Sequence, residues 1–288
     1  MAVPVTGDEI AAILKASDPD RYFSTLVVPR QHRAGVQALH AFNADVAAIA
    51  ARVREPAAGE VRLQWWQDAL RGEGHGDVRA NPVAAALLDA IARYRLPIAP
   101  LQRLLEARRF DLYQDPMPDL PTFEGYAGET NSVLYQLAAM ILAGGAEVAA
   151  ADAAGHLGVA HALTGHLRAF GYHASRGRIF LPWSVLAANG VREAEVFSGT
   201  VSEGLLAAMQ QLRETAGDHL ERAAQAINAL PAEARPAFAQ LAVLRLELAA
   251  LERSNESPFS TGPGVADWRR IAALAWWTWR AGSVSTRR

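Results

Sequence analysis

The chain has 288 residues, of which 51% are hydrophobic and 20% are charged, and its formal net charge at pH 7 is −2. This balance argues against a basic surface that binds nucleic acid. The chain contains no cysteine, which excludes disulfides, cysteine-ligated metal sites and a thiol nucleophile. No run of about 18 uncharged apolar residues occurs, so we expect no transmembrane helix.

Hydrophobic residues recur with a helical period along almost the whole chain, and short breaks with Pro or Gly separate the periodic segments. We therefore predict an all-α chain of about ten helices in one domain, residues 1–288. Asn81 before Pro82 and Ser202 are predicted to cap helices, and a Pro- and Gly-containing loop is predicted over 254–264. The helices are predicted at about 8–16, 19–26, 30–54, 59–71, 82–94, 100–114, 121–143, 148–171, 202–229, 232–253 and 265–281.

Three segments are more specific than periodicity. Residues 21–29 read RYFSTLVVP and are followed by ALHAF at 38–42, residues 62–68 read RLQWWQD, and residues 175–182 read SRGRIFLP. In this order they resemble the squalene/phytoene synthase family, whose members carry similar segments with comparable spacing. The resemblance implies the isoprenoid (terpenoid) synthase fold, a single helical bundle around a central cavity.

The resemblance also implies a mechanism for active members. Two aspartate-rich motifs face each other across the cavity and hold Mg²⁺, which neutralises the diphosphate that leaves when a prenyl diphosphate ionises. In this chain the motif positions fall on residues without a carboxylate, namely Ala47, Ala48, Ala51, Ala169, Tyr172 and His173. We therefore expect no catalytic residue, no metal ligand and no cofactor, and loss of the family's metal-assisted reaction.

The segment YHASR at 172–176, followed by FLP at 180–182, resembles most a catalytically degenerate subgroup of the family. That subgroup includes a mitochondrial complex I assembly factor. The resemblance implies a non-catalytic role in assembly of NADH:quinone oxidoreductase, with complex I subunits or assembly proteins as partners. Two alternatives stay open: a head-to-head prenyltransferase that uses Mg²⁺ and farnesyl or geranylgeranyl diphosphate, and a protein that binds a prenyl lipid without reacting it.

Several polar residues match framework or basic positions of the family. Such residues would form a surviving anion or prenyl-diphosphate site, in which Arg offers a fork of donors. The arginines of the predicted anion site could instead pair with Asp45, Asp68 or Asp111. Asp111 is interpreted as a hydrogen-bonded framework acid rather than a metal ligand. The residues of the predicted site are Tyr22, Ser24, Arg33, Arg62, Arg176 and Arg178.

His166 and His173 are seven residues apart and are predicted to share a helix face. His173 is expected to hydrogen-bond Tyr172 or an arginine, with a charge switch near pH 6–7 as an open alternative. Trp65 and Trp66 are interpreted as core residues.

The Trp- and Arg-rich last helix either packs on the bundle or contacts a membrane surface or a partner. The N-terminal sequence lacks the layout of a secretory signal. The predicted location is therefore cytoplasmic, with peripheral contact at the inner membrane as an option.

Overall fold

The computed structural model describes residues 7–253, 257–260 and 264–285. Within these ranges every regular element is helical, as the periodicity predicts. No helix among them is long and apolar enough to cross a membrane. The α-helices are α1 Gly7–Ser17, α2 Pro19–Thr25, α3 Arg30–Ala47, α4 Ile49–Arg52, α5 Pro56–Arg71, α6 Pro82–Tyr94, α7 Ile98–Ala107, α8 Leu120–Ala127, α9 Val133–Leu142, α10 Ala151–Arg168, α11 Phe170–Ala174, α12 Trp183–Ala188, α13 Glu193–Ser198, α14 Glu203–Ala229, α15 Gln240–Arg253 and α16 Asp267–Ser285.

Both predicted caps are present. The side-chain oxygen of Asn81 accepts hydrogen bonds from the backbone N–H groups of Val83 and Ala84, at 2.9 and 3.1 Å. Ser202 Oγ accepts from the N–H of Leu205 at 3.2 Å. Each cap satisfies backbone donors that the first helical turn leaves without an intrahelical partner.

Several predicted boundaries are wrong. The helix expected over 30–54 is interrupted at Ala48, and the one expected over 148–171 ends at Arg168. The segment expected from 232 begins as a 3₁₀ turn because Pro236 lacks the N–H that an α-helix needs, and α15 starts only at Gln240. The short helices α12 and α13 were not predicted, and the predicted loop over 254–264 lies mostly outside the described residues.

The centre of the bundle is α10, which packs along α14 and against the segment that joins α8 to α9. Residues 157–160 are buried in succession, so α10 is covered on nearly all sides. The joining segment Gly128–Ser132 is a π-helical turn. A Cβ at Gly158 would lie 2.5 Å from the backbone nitrogen of Ser132, so glycine is what permits this close approach. The close approach places α8, α9 and α10 around one interior.

Candidate functional site

The segment predicted to match the family's first aspartate motif lies at the junction of α3 and α4. Ala47 and Ala48 are half-buried there and offer no ligand atom. Asp45, the one acid of the segment, is engaged by its neighbours: its carboxylate accepts from Arg52 Nη1 at 2.8 Å and from the indole N–H of Trp66 at 3.3 Å. Trp66 is buried, as the core interpretation predicts. The remaining acid is therefore already paired.

Opposite this segment lies a buried polar group that we call the Arg108 clamp, formed by Arg108, Asp111 and Tyr126. Arg108 Nη1 donates to Asp111 at 3.0 Å and to the Tyr126 oxygen at 2.8 Å, and the Tyr126 hydroxyl donates to Asp111 at 2.7 Å. Arg108 Nη2 reaches Asn43 of α3 at 3.4 Å. Burial raises the pKa of Tyr126 well above its ordinary value, so its hydroxyl stays protonated. Asp111 is thus a hydrogen-bonded framework acid, as predicted.

The segment predicted to match the second aspartate motif contributes to a group of aromatic rings that we call the imidazole stack, formed by His166, His173 and Phe180. The His166 ring stacks on Phe180 with centroids 4.9 Å apart, and His173 meets Phe180 edge-on at 4.6 Å. The two histidine rings are 5.3 Å apart, but they lie on successive helices, α10 and α11, and not on one helix face as predicted. Tyr172 points outward, with 41% of its surface exposed.

The open alternative, a charge switch of His173 near pH 6–7, does not fit the surroundings of this side chain. Burial, together with the charges of Arg178 and Arg176, lowers the pKa of His173 to about 4. Burial and the neighbouring His173 lower the pKa of His166 well below its usual value too. Both imidazoles are therefore neutral at physiological pH. The expected hydrogen bond to Tyr172 is replaced by a ring contact of 5.6 Å.

The clamp and the stack form one continuous cluster. The Tyr126 ring lies 6.3 Å from His166, and Phe110 contacts both Tyr126 and Phe180, at 5.9 and 6.0 Å. The cluster thus consists of an arginine whose charge is balanced by one carboxylate, and of neutral rings.

These residues do not fit the Mg²⁺ cluster that active members of the family are expected to hold. Mg²⁺ requires hard oxygen ligands, mainly carboxylates. Asp45 and Asp111 are each bound to an arginine, and the imidazole stack offers no oxygen. In the part of the chain that the structure describes, no three His, Asp or Glu side chains are placed to hold a metal together.

Tyr22, Ser24 and Arg33, which are predicted to form part of an anion site, make contacts within α2 and across the turn to α3. Ser24 Oγ donates to the Arg21 carbonyl at 2.7 Å, and Tyr22 packs half-buried against Phe23 at 5.5 Å. The guanidinium of Arg33 donates to the carbonyls of Leu26 and Val28 at 2.8 and 3.0 Å, closing the turn between α2 and α3.

The other three arginines of that predicted site do not pair with the acids proposed for them. Asp45 is bound by Arg52 and Asp111 by Arg108. Arg176 is exposed and its guanidinium lies 3.7 Å from the centroid of the Tyr172 ring. Arg178 is half-buried beside His173, and Arg62 is exposed on α5. The expectation of ion pairs failed because side chains closer to the carboxylates already satisfy them.

Sequence reasoning missed a second polar interior, around Arg21 of α2. Arg21 is buried, donates to Asn131 at 2.8 Å and pairs with Asp18 at 3.1 Å. Nearby, the Tyr135 oxygen lies 2.7 Å from His161 Nδ1. One buried nitrogen on Arg21 has no hydrogen-bond partner among the described residues. Arg21 opens the RYFS motif, so the motif itself was the signal.

A third group, also unforeseen, joins four helices by charge. Asp20 of α2 and Glu247 of α15 are both buried and face Arg168 of α10 and Arg270 of α16. Arg168 lies 3.2 Å from Asp20, and Arg270 lies 2.6 Å from Asp20 and 3.5 Å from Glu247. Burial raises the pKa of Glu247 to about 7. This charge cluster fixes the last helix to the bundle.

The architecture is that of known isoprenoid synthases. A dehydrosqualene synthase structure superposes with a TM-score of 0.81 over 96% of both chains at 19% identity. A squalene synthase from Alicyclobacillus acidocaldarius superposes with a TM-score of 0.71 over 86% of this chain and 93% of its own, also at 19% identity. At this identity the likeness establishes the isoprenoid synthase fold.

The sequence profile of the squalene/phytoene synthase family matches residues 14–272, so the chain belongs to that family. Complex I assembly factor 6 of Rattus norvegicus is 30% identical over 84% of this chain and 72% of its own length, and the Homo sapiens protein is 29% identical over the same shares. The 15-cis-phytoene synthase of Synechococcus elongatus is 28% identical over 88% of this chain and 86% of its own.

Proposed function

We propose that this protein is a non-catalytic member of its family that acts in the assembly of respiratory complex I. The observation that carries the proposal is the content of the two segments predicted to match the aspartate motifs, which offer no free carboxylate. The first holds alanines, the second holds an alanine and two aromatic rings, and the nearby Asp45 and Asp111 are each paired with an arginine. Arg108 neutralises Asp111, so the clamp offers a divalent cation no free negative charge, and imidazoles with lowered pKa add none.

The similarity to complex I assembly factor 6 supports the assembly role. Its partners would be complex I subunits or other assembly proteins. Because complex I is a membrane enzyme, we place the protein on the cytoplasmic side of the inner membrane, in peripheral contact with it.

The enzyme alternative is tested by incubating the purified protein with Mg²⁺ and farnesyl or geranylgeranyl diphosphate and measuring released diphosphate. The Synechococcus elongatus phytoene synthase, assayed in parallel with geranylgeranyl diphosphate, is the positive control. We expect no release above the protein-free background, because removal of the carboxylates at two metal sites lowers the rate by about 10² or more at each. Mg²⁺-dependent release with turnover would refute the proposal.

The assembly role is tested by deleting the gene and measuring NADH:quinone oxidoreductase activity in isolated membranes. We expect a loss that the wild-type gene restores, with carotenoid and hopanoid content unchanged. Succinate:quinone oxidoreductase activity is the internal control for general membrane damage. Normal NADH:quinone oxidoreductase activity in the deletion strain would contradict the assembly role.

Retention of a prenyl lipid is a second candidate function, favoured by one observation. Buried polar atoms of Arg21, His40, Arg108 and Thr164 have no hydrogen-bond partner among the described residues, and leaving such atoms unpaired costs about 1–3 kcal/mol each. A polar head group would satisfy them. Native mass spectrometry of the purified protein should then show an added mass that organic extraction identifies as a lipid; a bare chain mass excludes this role.

A further inference from the structure

The last helix, α16, has two faces with different environments. Its inner face is fixed to the bundle: Leu274 is buried against Phe23 and Val243, and Arg270 joins the charge cluster. Residues 270, 274 and 277 fall within about 60° of one another on a helical projection. The helix is therefore held in a defined orientation by contacts on this side.

The opposite face of α16 is apolar and exposed. Trp268 and Trp279 are 70% and 69% exposed, and Ile271 is 47% exposed. The two tryptophans are eleven residues apart, so they lie about 20° apart in projection and roughly 16 Å apart along the axis. Single exposed apolar residues are ordinary, but two large aromatic rings aligned on a helix whose other face is already packed are not required for folding. We call Trp268, Ile271 and Trp279 the outer face.

The charge of this part of the chain is opposite to that of the rest. Residues 264–288 contain five arginines and one aspartate, a net charge of +4, whereas the whole chain has −2 and residues 1–263 therefore carry −6. Arg269 is exposed at the edge of the outer face, with its guanidinium 5.9 Å from the Trp268 ring centroid. Arg270 is neutralised in the charge cluster, so among the described side chains of this segment Arg269 is the positive charge that lies beside the outer face.

We propose that the outer face of α16 docks on an anionic lipid surface, with the helix axis parallel to the membrane plane. Tryptophan favours the level of the lipid head groups, where its apolar ring and its N–H are both satisfied. Flanking arginines are attracted by anionic lipids. A protein partner would match the rings equally well, but the local positive charge on an otherwise acidic chain favours an anionic surface. This inference deepens the peripheral location proposed above and rests on it.

The test is co-sedimentation of the full-length protein with vesicles of phosphatidylcholine alone or of phosphatidylcholine mixed with phosphatidylglycerol. We expect binding to the mixed vesicles, weakened by high salt because the charge attraction is screened. The double variant Trp268→Ser/Trp279→Ser should bind at least about tenfold more weakly, since two aromatic rings lose their apolar contact. Arg269→Gln should weaken binding about fivefold.

The matched control is Val61→Ser/Phe197→Ser, which removes two exposed apolar side chains elsewhere, 71% and 43% exposed. It should bind like the wild type. All variants are checked for unchanged helical content and melting temperature, which exposed positions should preserve.

Three results would overturn the proposal: no binding to the mixed vesicles, equal binding to neutral vesicles, or equal loss in the control variant. A concentration-dependent dimer that the tryptophan variant abolishes, without vesicle binding, would identify the face as a contact between copies instead. The assembly role is judged separately by the deletion strain. Loss of complex I activity together with absent vesicle binding refutes only this inference. Normal complex I activity together with vesicle binding refutes only the assembly role.

Discussion

Breaking the Arg108 clamp should destabilise the protein strongly, and the structure sets the size of the effect. The side chains of Arg108 and Asp111 are only 11% and 9% exposed, so removing either leaves a buried charge without its partner. We expect Arg108→Met and Asp111→Leu each to cost about 3–5 kcal/mol of unfolding free energy. Because each single change already strands the other residue, the double variant should cost less than the sum by about 2–3 kcal/mol.

Urea unfolding at constant pH measures these values, provided the slope with denaturant is unchanged. The control is Arg79→Met, which breaks an ion pair with Asp89 of similar length, 2.8 Å, whose side chains are 55% and 69% exposed. That change should cost less than about 1 kcal/mol. If Arg108→Met costs no more than the control, or if the double variant is additive, the interpretation of the clamp as a mutually dependent buried group is refuted.

Three further predictions concern single positions. The pKa of Glu247 is raised to about 7, above about 4.3 in the unfolded chain, so the native state binds an extra proton and loses stability as pH rises through 7. Relative to Glu247→Gln, the wild type should lose about 2 kcal/mol of unfolding free energy between about pH 5 and pH 8. Parallel profiles of urea stability against pH for the two proteins would contradict this. Gly158→Ala should cost about 2 kcal/mol or more of unfolding free energy, because the new Cβ meets the Ser132 backbone. Gly165→Ala on the same helix has open space around it and should be stabilising by about 0.5 kcal/mol. Equal melting temperatures for the two variants would refute the packing argument. Asn81→Ala should cost about 1 kcal/mol through loss of the cap, and an unchanged unfolding midpoint would show that the cap hydrogen bonds add nothing.

The Arg108 clamp and the imidazole stack show how the polar groups of this interior are satisfied by one another. In an active synthase, paired carboxylates repel each other until metal ions bind them. Here Arg108, Asp111 and Tyr126 satisfy one another directly, and the rings of the imidazole stack pack as ordinary aromatic residues. These described side chains are therefore stabilised by contacts with one another.

Some helix boundaries of this chain can be predicted from neighbouring residues and others cannot. The caps at Asn81 and Ser202 were correct because capping depends on residues within one helical turn. The interruptions at Ala48 and Ala169 were missed because neither alanine marks a helix end by its own propensity. The π-helical turn at Gly128–Ser132 was also missed, because it accompanies the close approach of α10, which lies elsewhere in the chain.

What the sequence by itself determined is the helical class, through the period of its apolar residues, and the family, through three ordered motifs. The tertiary structure decided which charges meet. Arg21 binds Asn131 110 residues away, and Arg168 reaches Asp20 across 148 residues. The motif marks Arg21 but not its distant partner, and nothing local marks Arg168 as the counter-charge of Asp20, because a buried charge is tolerated only where the fold brings an opposite charge to it. The outer face of α16 follows the same rule: the composition marked the helix as unusual, and only the packing of Arg270 and Leu274 showed which side is turned outward.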